Sequence, residues 1–148
     1  MISDLSDLYQ EVIIDHSRKP RNFRRLADAN RTAQGHNPLC GDRITVDLKL
    51  QQDQVTDLGF QGAGCAICTA SASLMTEGIK GKTIEEAERL FEDFHDLITT
   101  DKPAASNLGK LAVFSGVREY PVRAKCATLA WHTLRAALRG ADTPVSTE

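Results

Sequence analysis

The sequence predicts an α+β domain: a small antiparallel sheet of about three strands, with helices packed on one face. Three observations lead there. Residues 43–50 alternate apolar and polar side chains, the period of a strand with one buried face. A second strand-like run follows after a few polar residues, too short a connection for a parallel crossover, so the pair is antiparallel. Beyond Gly64 the apolar residues recur with helical period, which places helices after strands. A chain of 148 residues has the size of one domain. Such a chain buries roughly 70% of the surface its unfolded form exposes, so it builds a core without staples. Residues 1–140 are read as that single domain and 141–148 as a polar, fraying tail.

Residues 4–16 read as an amphipathic helix, with Leu5, Leu8, Tyr9, Val12 and Ile13 on one face. Pro20 ends it, because the residue before a proline is pushed out of the helical region. A polar stretch runs on to Asn37-Pro38, with a short strand near 32–35. In the strand 43–50, Ile44, Val46, Leu48 and Leu50 point one way and Thr45, Asp47 and Lys49 the other. Residues 51–54 form the turn and 55–61 the hairpin partner. Gly62-Ala63-Gly64 breaks that strand, and 65–78, rich in Ala, Ser, Leu and Met, reads as a helix of small, closely packed side chains. Thr83 and Glu86 are spaced as a capping box, and the helix they open carries Ile84, Ala87, Leu90, Phe91 and Phe94 on one stripe. Residues 101–116 read as a loop with one helical turn. Pro121 stands where a first helical residue would, and Gly140 where a helix would stop. Between them Val122, Cys126, Leu129, Ala130, Leu134, Ala137 and Leu138 make an apolar stripe.

Composition narrows the function classes. Eighteen basic against 20 acidic residues, a net charge of −2, excludes a strongly basic nucleic-acid binder and an acidic tail protein. Aromatic residues at 5% leave little for stacking single-stranded bases. The longest apolar runs, Val12-Ile13-Ile14 and Leu111-Ala112-Val113-Phe114, fall far short of the ~20 residues that cross a bilayer. The first residues, Met1-Ile2-Ser3-Asp4-Leu5-Ser6-Asp7, lack a basic segment of the secretory kind. A cytoplasmic setting is therefore expected, with no membrane and no nucleic acid as partner. Thiols stay reduced there, so the four cysteines read as ligands or nucleophiles, not disulfides.

Those cysteines stand at element boundaries: Cys40 and Asp42 before one strand, Cys65 and Cys68 at a helix start, Cys126 early in the last helix. Boundary positions on one side of a small sheet can converge. Zinc takes four thiolate, imidazole or carboxylate ligands, so Asp42 with three cysteines would serve, and so would four cysteines. Gly41, Gly62 and Gly64 let the backbone approach a metal closely. A free cysteine is also often a small buried hydrophobe, and for Cys68, among Ala, Ile and Ser, close packing is the simpler reading. Cys65-Ala66-Ile67-Cys68 matches the redox C-x-x-C pattern, but no βαβ unit surrounds it. His16, His36, His95 and His132 read as structural or surface residues, with His36, four residues from Cys40, the best outside candidate as ligand. Arg123 either holds a carboxylate near the site or belongs to a solvated basic helix start. Glu85, Glu86, Glu88, Glu92 and Asp93 read as a solvated helix face.

Asn37-Pro38-Leu39-Cys40-Gly41-Asp42, Gly62-Ala63-Gly64-Cys65-Ala66-Ile67 and Lys125-Cys126-Ala127-Thr128-Leu129-Ala130-Trp131 resemble, in this order, the IscU/NifU family of iron–sulfur cluster assembly proteins. Asp15-His16 and Pro20-Arg21-Asn22 extend the likeness, which spans roughly residues 5–138. Within the family the chain is most similar to the SufU branch. Lys125 stands where the scaffold branch has histidine, and an extra segment, roughly 106–119, precedes the last cysteine. Tyr120-Pro121-Val122-Arg123 replaces the Leu-Pro-Pro-Val-Lys chaperone signal, and both departures point away from cluster scaffolding and chaperone contact.

The resemblance implies an IscU/SufE-NifU-like fold and a zinc-dependent sulfurtransferase-like protein that is not a stand-alone enzyme. It implies Cys40, Asp42, Cys65 and Cys126 as zinc ligands. Cys40 would be the residue that takes sulfur from a pyridoxal-phosphate (SufS-type) cysteine desulfurase, for delivery to downstream iron–sulfur assembly proteins. The alternative it carries is a scaffold building a [2Fe–2S] cluster on the same ligands. Cys68 departs from the small residue or serine usual there. Our expectation for the mechanism is that a docked partner frees Cys40 for nucleophilic attack, since a thiolate and not a thiol is the reactive species.

Overall fold

The structure, a computed structural model, describes residues 5–100, 103, 105–140 and 144–146, with side chains from residue 9 onward. Helix α1 (Leu5–Arg18) leads into strands β1 (Arg31–Asn37), β2 (Asp42–Gln51) and β3 (Gln54–Ala63). Helices α2 (Ala66–Ile79) and α3 (Ile84–Thr99) follow, then a 3-10 segment (Ser106–Glu119), helix α4 (Pro121–Leu138) and strand β4 (Val145–Ser146). Asp4, the expected start of α1, and the side chains of Leu5 and Leu8 lie outside the described residues, as do 101, 102, 104, 141–143 and 147–148.

The α+β class holds, with four strands in place of about three, in the order β3-β2-β1-β4. β2 pairs antiparallel with both neighbours, Val46 lying opposite Ala33 on β1 and Phe60 on β3. The β2–β3 turn places Gln52 and Asp53 at φ 51° and 67°, the left-handed pair whose twist matches a two-residue hairpin. β4 lies parallel to β1, Val145 opposite Gly35 and Ser146 opposite His36, so the sheet is mixed and this part of the expected tail is a strand. Two residues carry no periodicity to read; they pair because β1 otherwise leaves an open edge.

The face bearing Ala33, Ile44, Val46, Leu48, Leu58 and Phe60 is buried against the helices. α4 crosses it so closely that a Cβ on Gly35 would lie 2.1 Å from Thr133 Oγ1. α4 also packs on α2, α3 and the 3-10 segment, and Ala127, Leu129, Ala130, Trp131 and Leu134 are all fully buried. The helix is thus enclosed on most sides, wider than the stripe read from sequence, while Val122 at its start is exposed. α2 is pinned to α4 through Ser71 Oγ, which donates to the Ala127 carbonyl and accepts from Trp131 Nε1. α1 packs on α2, and buried His16 places Nδ1 2.7 Å from Ser73 Oγ.

Asp47 departs from the alternation: it is 1% exposed although it faces away from the helices. The preceding irregular segment covers it. Arg25 Nε donates to Asp47 Oδ2 at 2.6 Å, the Leu26 backbone N–H at 3.1 Å, and Thr32 Oγ1 to Oδ1 at 2.8 Å. These donors hold the Asp47 carboxyl below its ordinary range, against a burial penalty larger than any one of them.

Residues 106–119 form a 3-10 helical run where a loop with one turn was expected, kinked at Gly109, whose φ is +54°. Four of its five buried residues, Leu108, Leu111, Phe114 and Val117, recur every third position, the 3-10 period. A search at the α-helical period of 3.6 passes over that signal.

Candidate metal centre

Three chain segments bring chemistry to one end of the sheet. The first is the β1–β2 connection. Fully buried Asn37 organises it: its carbonyl accepts the N–H groups of Cys40 (3.2 Å) and Gly41 (2.8 Å), and its Oδ1 accepts that of Leu39 (3.1 Å). Gly41 takes φ +74°, which reverses the chain and leaves exposed Cys40 at the tip. Asp42, the first residue of β2, is fully buried. Sequence reading named Asn37 only as part of a motif; its signal was an Asn-Pro turn.

The second segment is the β3–α2 junction. Cys65 is the N-cap of α2, its Sγ accepting the Cys68 backbone N–H at 3.4 Å. Its own N–H donates to Asp42 Oδ1 at 2.9 Å, and its thiol to Asp42 Oδ2 at 3.8 Å. Gly64 allows this approach, since a Cβ there would stand 2.5 Å from Asp42 Oδ1. The third segment is α4, whose Cys126 Sγ lies 3.4 Å from Cys40 Sγ and 3.9 Å from Asn37 Nδ2.

One ligand atom each from Cys40, Asp42 and Cys126 lie within 4.8 Å of one another, and Cys65 adjoins them through Asp42. Cys65 and Cys68 both fall outside that set; Cys68 is 4% exposed, against a small space lined by Ile44, Phe60 and Gly62. Burial pushes the Cys126 thiol up, and its hydrogen bonds with Asp42, Cys40 and Cys65 push the same way. Burial also raises Cys68. Asp42 makes no ion pair among the described residues, yet a buried carboxylate is normally paired or metal-bound. A metal cation bound here would draw the thiols and the carboxylate as anions.

The remaining candidates lie elsewhere. Exposed His36 sits on β1 next to buried Asn37 and so faces away from it. His95 and His132 pack edge-on to each other at 5.7 Å, and His132 against Phe91 at 5.3 Å. Arg123 stacks over Tyr120, its guanidinium carbon 5.0 Å from the ring centroid. Of the acidic face of α3, Glu86 completes the capping box with Thr83 and Glu88 pairs with Arg139 at 3.0 Å. A groove of about 690 Å³ is lined by Tyr9, Ile13, Ile67, Val117, Tyr120 and Arg123.

Residues 8–139 match the family described as NifU-like N terminal domain. The chain belongs to that family. It is 44% identical over 133 residues to the zinc-dependent sulfurtransferase SufU of Bacillus subtilis, covering 89% of this chain and 90% of that one. It is 40% identical over 139 residues to the iron–sulfur cluster assembly scaffold protein IscU of Streptococcus pyogenes, covering 93% and 87%. Among solved structures it is similar to a putative iron–sulfur cluster assembly scaffold protein for the SUF system from Fervidobacterium islandicum. That likeness has a TM-score of 0.82 and 35% identity over 86% of this chain and 94% of that one. The N-terminal NifU-like protein of Brucella abortus superposes at 0.84 with 26% identity, covering 94% and 97%. Family members thus carry names of iron–sulfur cluster assembly and of zinc-dependent sulfur transfer. No helix among the described residues is long and apolar enough to cross a membrane.

Proposed function

We propose that this chain accepts persulfide sulfur on Cys40 from a pyridoxal-phosphate cysteine desulfurase of the SufS type and hands it on within iron–sulfur cluster assembly. Zinc would be held by Cys40, Asp42, Cys65 and Cys126. The observation that carries the reading is the meeting of an exposed thiol, Cys40, with buried Asp42 and Cys126 inside 4.8 Å. The donor chemistry suits the metal: two soft thiols and a carboxylate meet, a third thiol, Cys65, adjoins them through Asp42, and buried Asp42 lacks a counter-cation among the described residues. When bound, zinc would keep the thiols ionised and tie the loop to both helices.

The chain's own residues do the rest. Cys40 Sγ attacks the terminal sulfur of the partner's persulfide; that S–S bond breaks, the partner's thiolate leaves, and the sulfur remains as a persulfide on Cys40. Asn37 presents the tip through its two backbone bonds. Asp42, a hard oxygen donor among sulfurs, makes the site easier to open than a four-cysteine one. Exposed Leu39, Tyr120 and Val122 offer apolar surface for a docked partner next to Cys40 and one turn before Cys126.

A second reading, a scaffold that assembles a [2Fe–2S] cluster on the same side chains, draws on the naming of the Streptococcus relative. Desulfurase turnover with wild type and Cys40→Ala, beside metal analysis of the purified chain, separates these. We expect tightly held zinc, strong stimulation by wild type and none by Cys40→Ala. Equal stimulation by both removes the acceptor role; a brown, iron- and sulfide-containing protein selects the scaffold.

A further inference from the structure

We propose that Cys68 is the resolving thiol of Cys65: the two close to a disulfide when a peroxide oxidises Cys65, a modification site distinct from sulfur acceptance on Cys40. Cys65 is exposed and caps α2, and its Sγ already accepts the N–H of Cys68 at 3.4 Å. Cys68, at the third position of α2, is a free thiol that nothing in the sulfur-transfer chemistry uses. The C-x-x-C pattern needs only this local setting, an attackable cysteine at a helix N-terminus with a second one turn in, and not the βαβ surroundings.

Cys65 is the extended N-cap and Cys68 the third helical residue, so closure needs thiol rotation and adjustment of a first turn that has few intrahelical bonds to lose. Cys40 and Cys126 are a competing pair at 3.4 Å, but both sulfurs belong to the candidate ligand set, whereas Cys68 belongs to none. A metal-loaded chain thus keeps one unligated, buried thiol one helical turn from the exposed Cys65.

In the first step the Cys65 sulfur attacks one peroxide oxygen, the O–O bond breaks, and a sulfenic acid forms as one water leaves. Cys68 Sγ then displaces hydroxide from that sulfur. Its thiol proton departs with the hydroxide as a second water, and the S–S bond forms; the two thiols have given two electrons to the peroxide. Closure withdraws Cys65 from the ligand set, so zinc leaves with it. That last limb rests on the proposed ligands; the disulfide does not.

The full zinc-loaded chain is treated with a slight excess of hydrogen peroxide, alkylated and mapped by mass spectrometry, with zinc followed by a chromogenic chelator. We expect an intramolecular Cys65–Cys68 disulfide, loss of two titratable thiols, zinc release, and reversal by dithiothreitol. In Cys68→Ser and Cys68→Ala, Cys65 proceeds to sulfinic acid and dithiothreitol no longer restores the thiol count. A Cys40–Cys126 disulfide as main product, or oxidised Cys65 beside alkylated Cys68, overturns the pairing and leaves the ligand reading intact. A Cys65–Cys68 disulfide with zinc retained supports the pairing and overturns Cys65 as a ligand.

Discussion

Asp42 shows how single atoms set this site. Its two oxygens take the Cys65 N–H and thiol, so the carboxylate joins the start of β2 to the start of α2. Gly64 is the residue that lets it do so. Gly64→Ala puts a Cβ 2.5 Å from Asp42 Oδ1 and 3.0 Å from its Cγ, and the carboxylate must swing aside. Zinc affinity, measured by competition with a chromogenic chelator, should fall about tenfold or more while the helical circular dichroism stays unchanged. Unaltered affinity would mean that Asp42 does not need this position. The candidate residues were readable as chemistry from the sequence, because thiols and a carboxylate at element boundaries are unusual company. The support given by Asn37 was not, since a buried amide holding a loop leaves only an Asn-Pro pair in the chain text.

Among elements, β1 packs closely under α4, and this contact bears on how Cys126 meets the β1–β2 loop. Gly35→Ala would bring Cβ to 2.1 Å from Thr133 Oγ1 and 3.1 Å from Leu129 Cδ1. We expect a loss of about 1–3 kcal/mol in urea unfolding, reduced when Thr133→Ala is added, because the two changes act on one contact. A neutral single variant would show that the strand and helix have room to spare. Local chemistry made some elements plain in advance. The Thr83–Glu86 capping box is present with both reciprocal hydrogen bonds, 3.0 and 3.1 Å, and α3 starts where it says. The 3-10 segment was missed for want of the right period, and β4 because two residues carry none.

For the molecule as a whole, buried His16 and half-buried His132 make stability depend on pH. His132 is pushed down from 6.5 to about 4, first by burial and then by neighbouring His95 and Arg135; burial also lowers His16, with Arg21 adding to it. Unfolding lets both groups take protons near their ordinary value, so the unfolded chain binds more protons below pH 6.5. Stability is therefore full above about pH 6.5 and falls as pH drops toward 4. His132 alone accounts for about 2 kcal/mol by pH 5. Thermal melts of the metal-free chain between pH 7 and 5 should show the decline, and His132→Phe, which keeps a ring against Phe91, should flatten it. An equal slope in that variant would place the acid sensitivity elsewhere.

Order along the chain and local chemistry determined a good deal alone: the α+β class from the period change at Gly64, the β2–β3 hairpin from its short turn, α3 from its cap. The three motifs also marked the family. Only the tertiary structure decided that Asp47 is buried, that α4 is enclosed on most sides, and that Cys40 and Cys126, 86 residues apart, meet at 3.4 Å while Cys68 turns into the core. The reason is physical. Periodicity and capping act within a turn or two of the chain, whereas burial and the meeting of side chains depend on what packs across the sheet, which no local pattern records.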